Sequence, residues 1–227
     1  MPRNKYPERT VARILEVAEQ VFTEKGYADT KVMDIVNALK GEMTRGAVQH
    51  HFKSKQQMFN MIYDKKMDVY YNAMAEAASR EDLNGREKLI EINNVAMKSV
   101  EEVHIVKLLS SMTDGEMYSD FGLTSVVVDT IEEKLIPLTR GVVDEGIADG
   151  SIVCDNHNPE DLTETYVYAI QMYILGRIPK HKPEKIMRMM SFVSDTFAPF
   201  WNEPMTESSW TNFAEEINKE YVNGGAV

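Results

Sequence analysis

MTRGAVQHHFKSK, Met43 to Lys55, is the stretch on which the reading of this chain turns. Thr44 is a good helix N-cap, because its hydroxyl can accept from a backbone N–H that the first turn leaves free. Arg45, Gly46 and Ala47 then make an unusually bare first turn, which lets a helix sit close against something. Val48 and Phe52, four apart, share one face and can anchor the element to a core. Gln49, His50 and His51 carry hydrogen-bonding groups. Ser54 opens the next helix, with Gln57 at the capping-box spacing. One small apolar face and one donor-rich face suit a recognition helix in a DNA groove. Gln can pair bidentately with adenine, Arg with guanine, and Ala can touch a thymine methyl. Lys53 and Lys55 stand where phosphates would lie. The plainer alternative is a short surface helix with two solvated histidines.

The residues before this stretch add two helices. Val11, Ile14, Leu15, Ala18, Val21 and Phe22 follow helical spacing, with Glu16, Glu19, Glu24 and Lys25 on the other face. Gly26 is the expected stop. Thr30 can cap a second helix with Val32, Ile35, Val36 and Leu39 inward, ended by Lys40-Gly41. Three helices of this size, the last two joined by a Gly-containing turn, make a helix-turn-helix arrangement.

Two blocks, FTEKGYADTKVMDI from Phe22 to Ile35 and TRGAVQHHFKSK from Thr44 to Lys55, resemble the DNA-binding domain of the TetR family of transcriptional regulators. The resemblance covers about the first quarter of the chain. The family pattern ends its first helix in F-x-x-K/R/H-G-Y/F, and its recognition helix reads S/T-K/R-G-x-L/F-Y-x-H/Y-F-x-S/N-K. Two features depart from it: Gln49 stands where tyrosine is usual, and the turn Leu39 to Met43 is longer than the common form. The resemblance implies phosphate contacts at Thr30, Lys31, His51 and Lys55, and a capping Thr44 within reach of a phosphate. It implies that Arg45, Ala47 and Gln49 face base edges, with His50 able to do either. Arg45 and Gln49 are the expected specificity residues.

Charge is divided along the chain. The whole carries −11, yet residues 1 to 66 hold 12 Lys+Arg against 8 Asp+Glu, and the remainder holds 13 against 28. A basic module joined to an acidic body is a hint of nucleic-acid binding, although uneven surface charge also arises without it. One cysteine, Cys154, excludes an intrachain disulfide and fits a cytoplasmic protein. No N-terminal apolar run resembles a signal peptide. The longest apolar stretch, Tyr166 to Leu175, contains Gln171 and falls short of the roughly 20 residues a membrane span needs.

The expected fold is all-α. A three-helix DNA-binding domain at residues 1–55 precedes a larger helical domain at 56–227 for effector binding and dimerisation. One helix should run from 54 to about 80, with Phe59, Ile62, Tyr63, Val69, Tyr70, Ala73 and Ala77 inward. Others should run from about Arg86 to Met112 and from about Thr124 to Asp149, where Pro137 should kink or break the helix. Met117 to Leu123 is poorly patterned. Asn158-Pro159-Glu160-Asp161 is a strong start: cap, proline in the first turn, then acids. Helices at 159–176 and 183–198 are the most apolar, the second stopping near Pro199. A last helix should span about Thr206 to Tyr221.

An apolar pair of helices near the C-terminus fits either ordinary core packing or a two-fold subunit interface, which the resemblance also implies. Fifteen Met residues give adaptable apolar surface. The resemblance implies an effector pocket between the middle helices. Its candidate lining is Met97, Val100, His104, Met112, Met117, Phe121, Tyr166 and Tyr173, residues that could equally be core. No phosphate loop, zincin motif or nucleophile elbow is present. His50 and His51 should point to different helix faces and so not share a metal. Neither a catalytic set nor a cofactor or metal is expected. The expected function is a homodimeric regulator, a repressor that leaves a pseudo-palindromic double-stranded operator on binding a small apolar molecule. The rival is a helical ligand-binding or catalytic protein with a vestigial DNA-binding module.

Overall fold

The computed structural model describes residues 7–102, 108, 128–177 and 183–201, and among these there are helices and turns but no strand. The expected helix over 206–221, the stretch 117–123, and the outer ends of the expected helices at 103–107, 109–112 and 124–127 lie outside the described residues. Cα packing separates two units within the described residues, the first change falling between Met67 and Asp68, inside a long helix.

In the first unit, α1 spans Pro7–Lys25. Ile14, Val17, Ala18, Val21 and Phe22 are buried along it. Gly26 ends it, its N–H donating to Phe22 O at 2.9 Å. α2 is Val32–Ala38 and α3 is Arg45–His51. Both are too short to persist in water alone, since a helix below roughly 12 residues is marginal. Tertiary anchors hold them instead: Ile35 and Leu39 for α2, Val48 and Phe52 for α3, all essentially inaccessible. Each such side chain contributes about 1.5–3 kcal/mol by leaving water.

α4 runs Lys55–Ala78 and belongs to the first unit only as far as Met67. Its start closes an aromatic cluster in which the ring centroids of Phe22, Tyr27 and Phe59 lie 5.2–6.0 Å apart. Met58, Phe59, Ile62, Tyr63, Met67, Tyr70, Met74 and Ala77 form its buried stripe. Val69, expected inward, is 49% exposed, because it falls off that stripe.

In the second unit, α5 spans Gly85–Glu102, opened by a reciprocal cap. Asn84 Oδ1 accepts from Glu87 N, and Glu87 Oε2 accepts from Asn84 N, both at 2.9 Å. α6 spans Ile136–Asp149 and follows directly on a π-helical segment, Ile131–Leu135. Pro137 thus lies in the first turn of the α-helix, which joins the π-helical segment without a gap. Proline has no N–H for the carbonyl four residues back and its ring crowds that carbonyl. A wider turn, with Ile136 N–H donating to Ile131 O, relieves the crowding while the backbone stays right-handed.

Two glycines allow α5 and α6 to touch. A Cβ on Gly85 would lie 2.2 Å from Gly146 Cα, and one on Gly146 would lie 2.4 Å from Ile152 Cδ1. Lys88 pairs with Glu145 across the same seam. α7, Pro159–Arg177, starts at the expected cap, with Asn158 Oδ1 accepting from Glu160 N at 3.0 Å. α8, Pro183–Trp201, continues past Pro199 instead of stopping there. Proline near the end of a helix disturbs only the last turn, and the Phe200 carbonyl finds an acceptor's role with Val153 N–H at 2.9 Å. Tyr166 and Ile170 of α7 and Val193 and Phe197 of α8 are buried inside this unit. Among the described residues, Phe192 is a large apolar side chain of α8 that is exposed, at 69%.

Candidate nucleic-acid interface

The short helix α3 is held from below and open above. Val48 and Phe52 are buried, while Arg45, Gly46, Ala47, Gln49 and His50 are exposed and His51 is half-buried. Thr44 caps it as its residue type requires, Oγ1 accepting from Ala47 N at 3.3 Å. Beyond it, Ser54 Oγ accepts from Gln57 N at 3.1 Å, and Gln57 Oε1 accepts from Lys53 N at 2.9 Å. The capping box is thus reciprocal but displaced by one residue, which tightens the turn between α3 and α4. The Lys53 side chain projects into solvent at that turn.

Gly46 is not required by the protein's own packing. A Cβ there would meet only Thr44 Oγ1, at 3.9 Å. Its backbone carries no positive φ. Glycine within a helix costs about 0.5–1 kcal/mol relative to alanine, and nothing among the described residues accounts for it.

His50 and His51 are closer than adjacency on a helix suggests. Their rings lie edge to face with centroids 5.3 Å apart, which corrects the expectation that they diverge. Among the described residues no group of three or more His, Cys, Asp or Glu side chains could hold a metal ion.

Two expected roles change at the start of α2. Thr30 is not the cap: it is 1% exposed, and its hydroxyl donates to Gly26 O at 2.6 Å. Lys31 holds the N-cap place, and Asp34 Oδ2 accepts from its N–H at 2.7 Å. Asp34 also pairs with Lys25 at 2.7 Å, and these bonds hold its carboxyl below the usual range. Lys31 itself is exposed. Lys55, expected at a phosphate, turns inward: Nζ donates to Tyr27 O at 2.5 Å and Ala28 O at 2.9 Å, and lies over the Tyr27 ring. It joins α4 to the turn between α1 and α2.

The turn between α2 and α3 is fixed by a contact that the sequence did not suggest. Arg13 of α1 grips Glu42 through two hydrogen bonds of 2.8 and 3.0 Å. Hydrogen bonding to Arg13 holds the Glu42 carboxyl below its ordinary value. Lys40, at φ 50°, and Gly41, at φ 85°, give this turn its left-handed course. A planar guanidinium on a carboxylate fixes orientation as well as distance.

The protein-family model for bacterial regulatory proteins of the tetR family matches residues 14–62, from α1 into α4. The match covers the helix-turn-helix part of the chain, so over these residues the chain is similar to the DNA-binding domain of that family. The chain is 35% identical over 75 residues to the HTH-type transcriptional regulator TtgR of Pseudomonas putida, a match covering 33% of this chain and 34% of TtgR. A longer match, 24% identical over 61% of this chain and 65% of the relative, is to the HTH-type transcriptional repressor KstR2 of Mycolicibacterium smegmatis. The chain therefore spans about a third of TtgR's length and just under two thirds of this KstR2's. The TetR-family regulator PfmR from Thermus thermophilus shares the fold, with a TM-score of 0.57 at 19% identity over 91% of this chain and 97% of PfmR.

Of the residues weighed for an effector, Tyr166 is placed and is 4% exposed. Asn93 Nδ2 donates to its hydroxyl oxygen at 2.8 Å. Met97, Val100 and Tyr173 fall in helices, but their side chains lie outside the described residues, as do His104, Met112, Met117 and Phe121 entirely. Asn93 went unnoticed in the sequence, and Tyr70 and Gln171 were read only as an inward residue and an interruption of an apolar stretch. A mixed helical face gives no sign of which polar residue is buried.

Proposed function

We propose that the protein is a homodimeric, DNA-binding transcriptional regulator, a repressor that reads a pseudo-palindromic operator through α3. The observation that carries this is the exposed face of Arg45, Gly46, Ala47, Gln49 and His50 on a helix pinned by Val48 and Phe52. Gly46 supports it further, since close approach to a duplex accounts for a glycine that internal packing does not need. Arg45 and Gln49 would read bases, with Ala47 able to meet a thymine methyl. Lys31, Lys53, Thr44, His50 and His51 would approach phosphates.

The repressor reading is supported by KstR2, a named repressor among the relatives. The partner subunit would pair through α7 and α8, with Phe192 as outward apolar surface, and set two α3 helices about 34–36 Å apart. Residues 1–55 would form the DNA-binding module and 56–227 the effector and dimer body. A small, largely apolar effector would release DNA by preferring a conformation that does not fit the operator. No described helix is long and apolar enough to cross a membrane.

Titration of a labelled duplex against salt tests the DNA reading. Affinity should fall steeply between about 50 and 200 mM as displaced counterions compete. Absent or salt-insensitive binding would overturn it.

A further inference from the structure

Four polar side chains from three helices meet inside the second unit. Gln171 Nε2 of α7 donates to the Tyr70 hydroxyl oxygen of α4 at 2.9 Å. Asn93 of α5 donates to Tyr166 Oη at 2.8 Å and to Leu89 O at 2.6 Å. Gln171 is 4% exposed, and among the described residues its Oε1 has no hydrogen-bond partner. Turning the amide over exchanges the problem without removing it. Oε1 would then accept from the Tyr70 O–H, and Nε2 would lose its acceptor. In either orientation one end of a buried amide is left over.

Such a group costs stability, and the single bond to Tyr70 does not explain its presence, since an apolar side chain would fill the place. Its partners are neutral. Burial pushes the Tyr70 phenol up to about 12 and raises that of Tyr166 as well, so neither carries charge at physiological pH. Lys88, a buried cation of the same unit, is engaged by Glu145. A ligand carboxylate or ammonium would find no compensating charge on Gln171, Tyr70, Tyr166 or Asn93. A hydroxyl both donates and accepts, and so completes Gln171 in either orientation.

The geometry points to Gln171 as a recognition residue for an effector of one chemical class, a neutral apolar molecule bearing a hydroxyl group that hydrogen-bonds the free end of the Gln171 amide. This assignment rests on the effector reading above and adds its chemistry and its contact residue.

The test uses the full chain without DNA. Binding of cyclohexanol and naphthol is measured by calorimetry against methylcyclohexane and methylnaphthalene, which put a methyl in place of the hydroxyl, and against naphthoate. The alcohols should bind at least ~10-fold tighter than their methyl counterparts, because a site built around a hydroxyl leaves its polar group unpaired with the analogue. Naphthoate should bind more weakly than naphthol. Gln171→Met should bring alcohol and methyl analogue to near-equal affinity with its thermal midpoint held or raised, and Gln171→Asn should keep a reduced preference. Equal binding of alcohol and analogue to the unmodified protein, or binding of neither, overturns the assignment. So does a Gln171→Met protein that loses stability and keeps the preference. A labelled duplex added afterwards separates the two readings. Hydroxyl-selective binding that leaves the duplex bound upholds this site and counts against effector-driven release.

Discussion

The Lys55 ammonium lies 4.2 Å from the centre of the Tyr27 ring and donates to the Tyr27 carbonyl at 2.5 Å. A residue that opens α4 thus holds the chain between α1 and α2, with Ala28 O as a second acceptor. Lys55→Met keeps the stem and removes the charged donors. It should cost about 1–2 kcal/mol, from charge-assisted hydrogen bonds and a cation–π contact at a partly exposed site. Urea unfolding should show a lower midpoint at unchanged slope. An unchanged midpoint, with a salt dependence of duplex binding reduced by about one ion, would return Lys55 to a phosphate role.

Gly46→Ala separates folding from binding. A methyl group there meets only Thr44 Oγ1 at 3.9 Å, so the protein should gain up to about 0.5–1 kcal/mol in stability. Duplex affinity should nevertheless fall by at least ~10-fold, since the methyl stands where a groove wall or phosphate would approach. A variant that is more stable and binds equally well would show that α3 does not approach DNA through this turn.

Base reading and phosphate contact should also separate. Gln49→Ala should flatten the preference among duplex sequences, with about 1–3 kcal/mol of discrimination lost at one position of each half-site. Lys53→Ala should weaken all duplexes alike and reduce the salt slope by about one. Competition titrations with single-base variants of a bound duplex distinguish the two patterns. Matching losses on every sequence for both variants would contradict these roles.

The Arg13 clasp on Glu42 gives the turn before α3 a pH dependence in acid. Glu42 titrates below its ordinary value of 4.5 because Arg13 hydrogen-bonds its charged form. A depressed folded value means that the stabilisation is complete above the unfolded carboxyl's range and disappears as pH falls through the folded value. Glu42→Gln should therefore be less stable than the unmodified protein at neutral pH and converge with it well below pH 4.5. Parallel stability curves through that range would show that the pair contributes nothing to folding.

The seam between α5 and α6 has no room to give. A Cβ on Gly146 would fall 2.4 Å from Ile152 Cδ1, and Gly146→Ala should cost about 1–3 kcal/mol through overpacking. Thermal unfolding measures it directly, and a midpoint equal to that of the unmodified protein would contradict the packing described.

Local chemistry was legible in the sequence wherever a few adjacent residues decide the outcome. Thr44 caps α3, Val48 and Phe52 anchor it, and Asn158 with Pro159 opens α7, each readable from spacing alone. What escaped depends on distant partners. Arg13 meets Glu42, Lys55 meets Tyr27, and Gln171 meets Tyr70 across stretches that no periodicity links. Thr30 has the residue type of a cap, but the hydroxyl found Gly26 O and the next residue took the cap position. Pro137 obeyed the rule that it cannot sit in a regular α-helix, yet the chain answered with a wider turn rather than a break. The apolar pair of helices α7 and α8 fitted either a core or a subunit interface because an apolar face does not say whether its own chain covers it, and Tyr166 and Phe197 are in fact covered within the unit.

Sequence reading by α3 in duplex DNA is the property on which the other roles depend. Selection of bound duplexes from a random pool, with the purified full chain at physiological salt, tests it most directly. The account predicts recovery of an inverted repeat whose half-sites lie one helical turn apart and whose enrichment is lost with Gln49→Ala. Recovery of no enriched sequence, or of sequences that Gln49→Ala selects equally well, would contradict it.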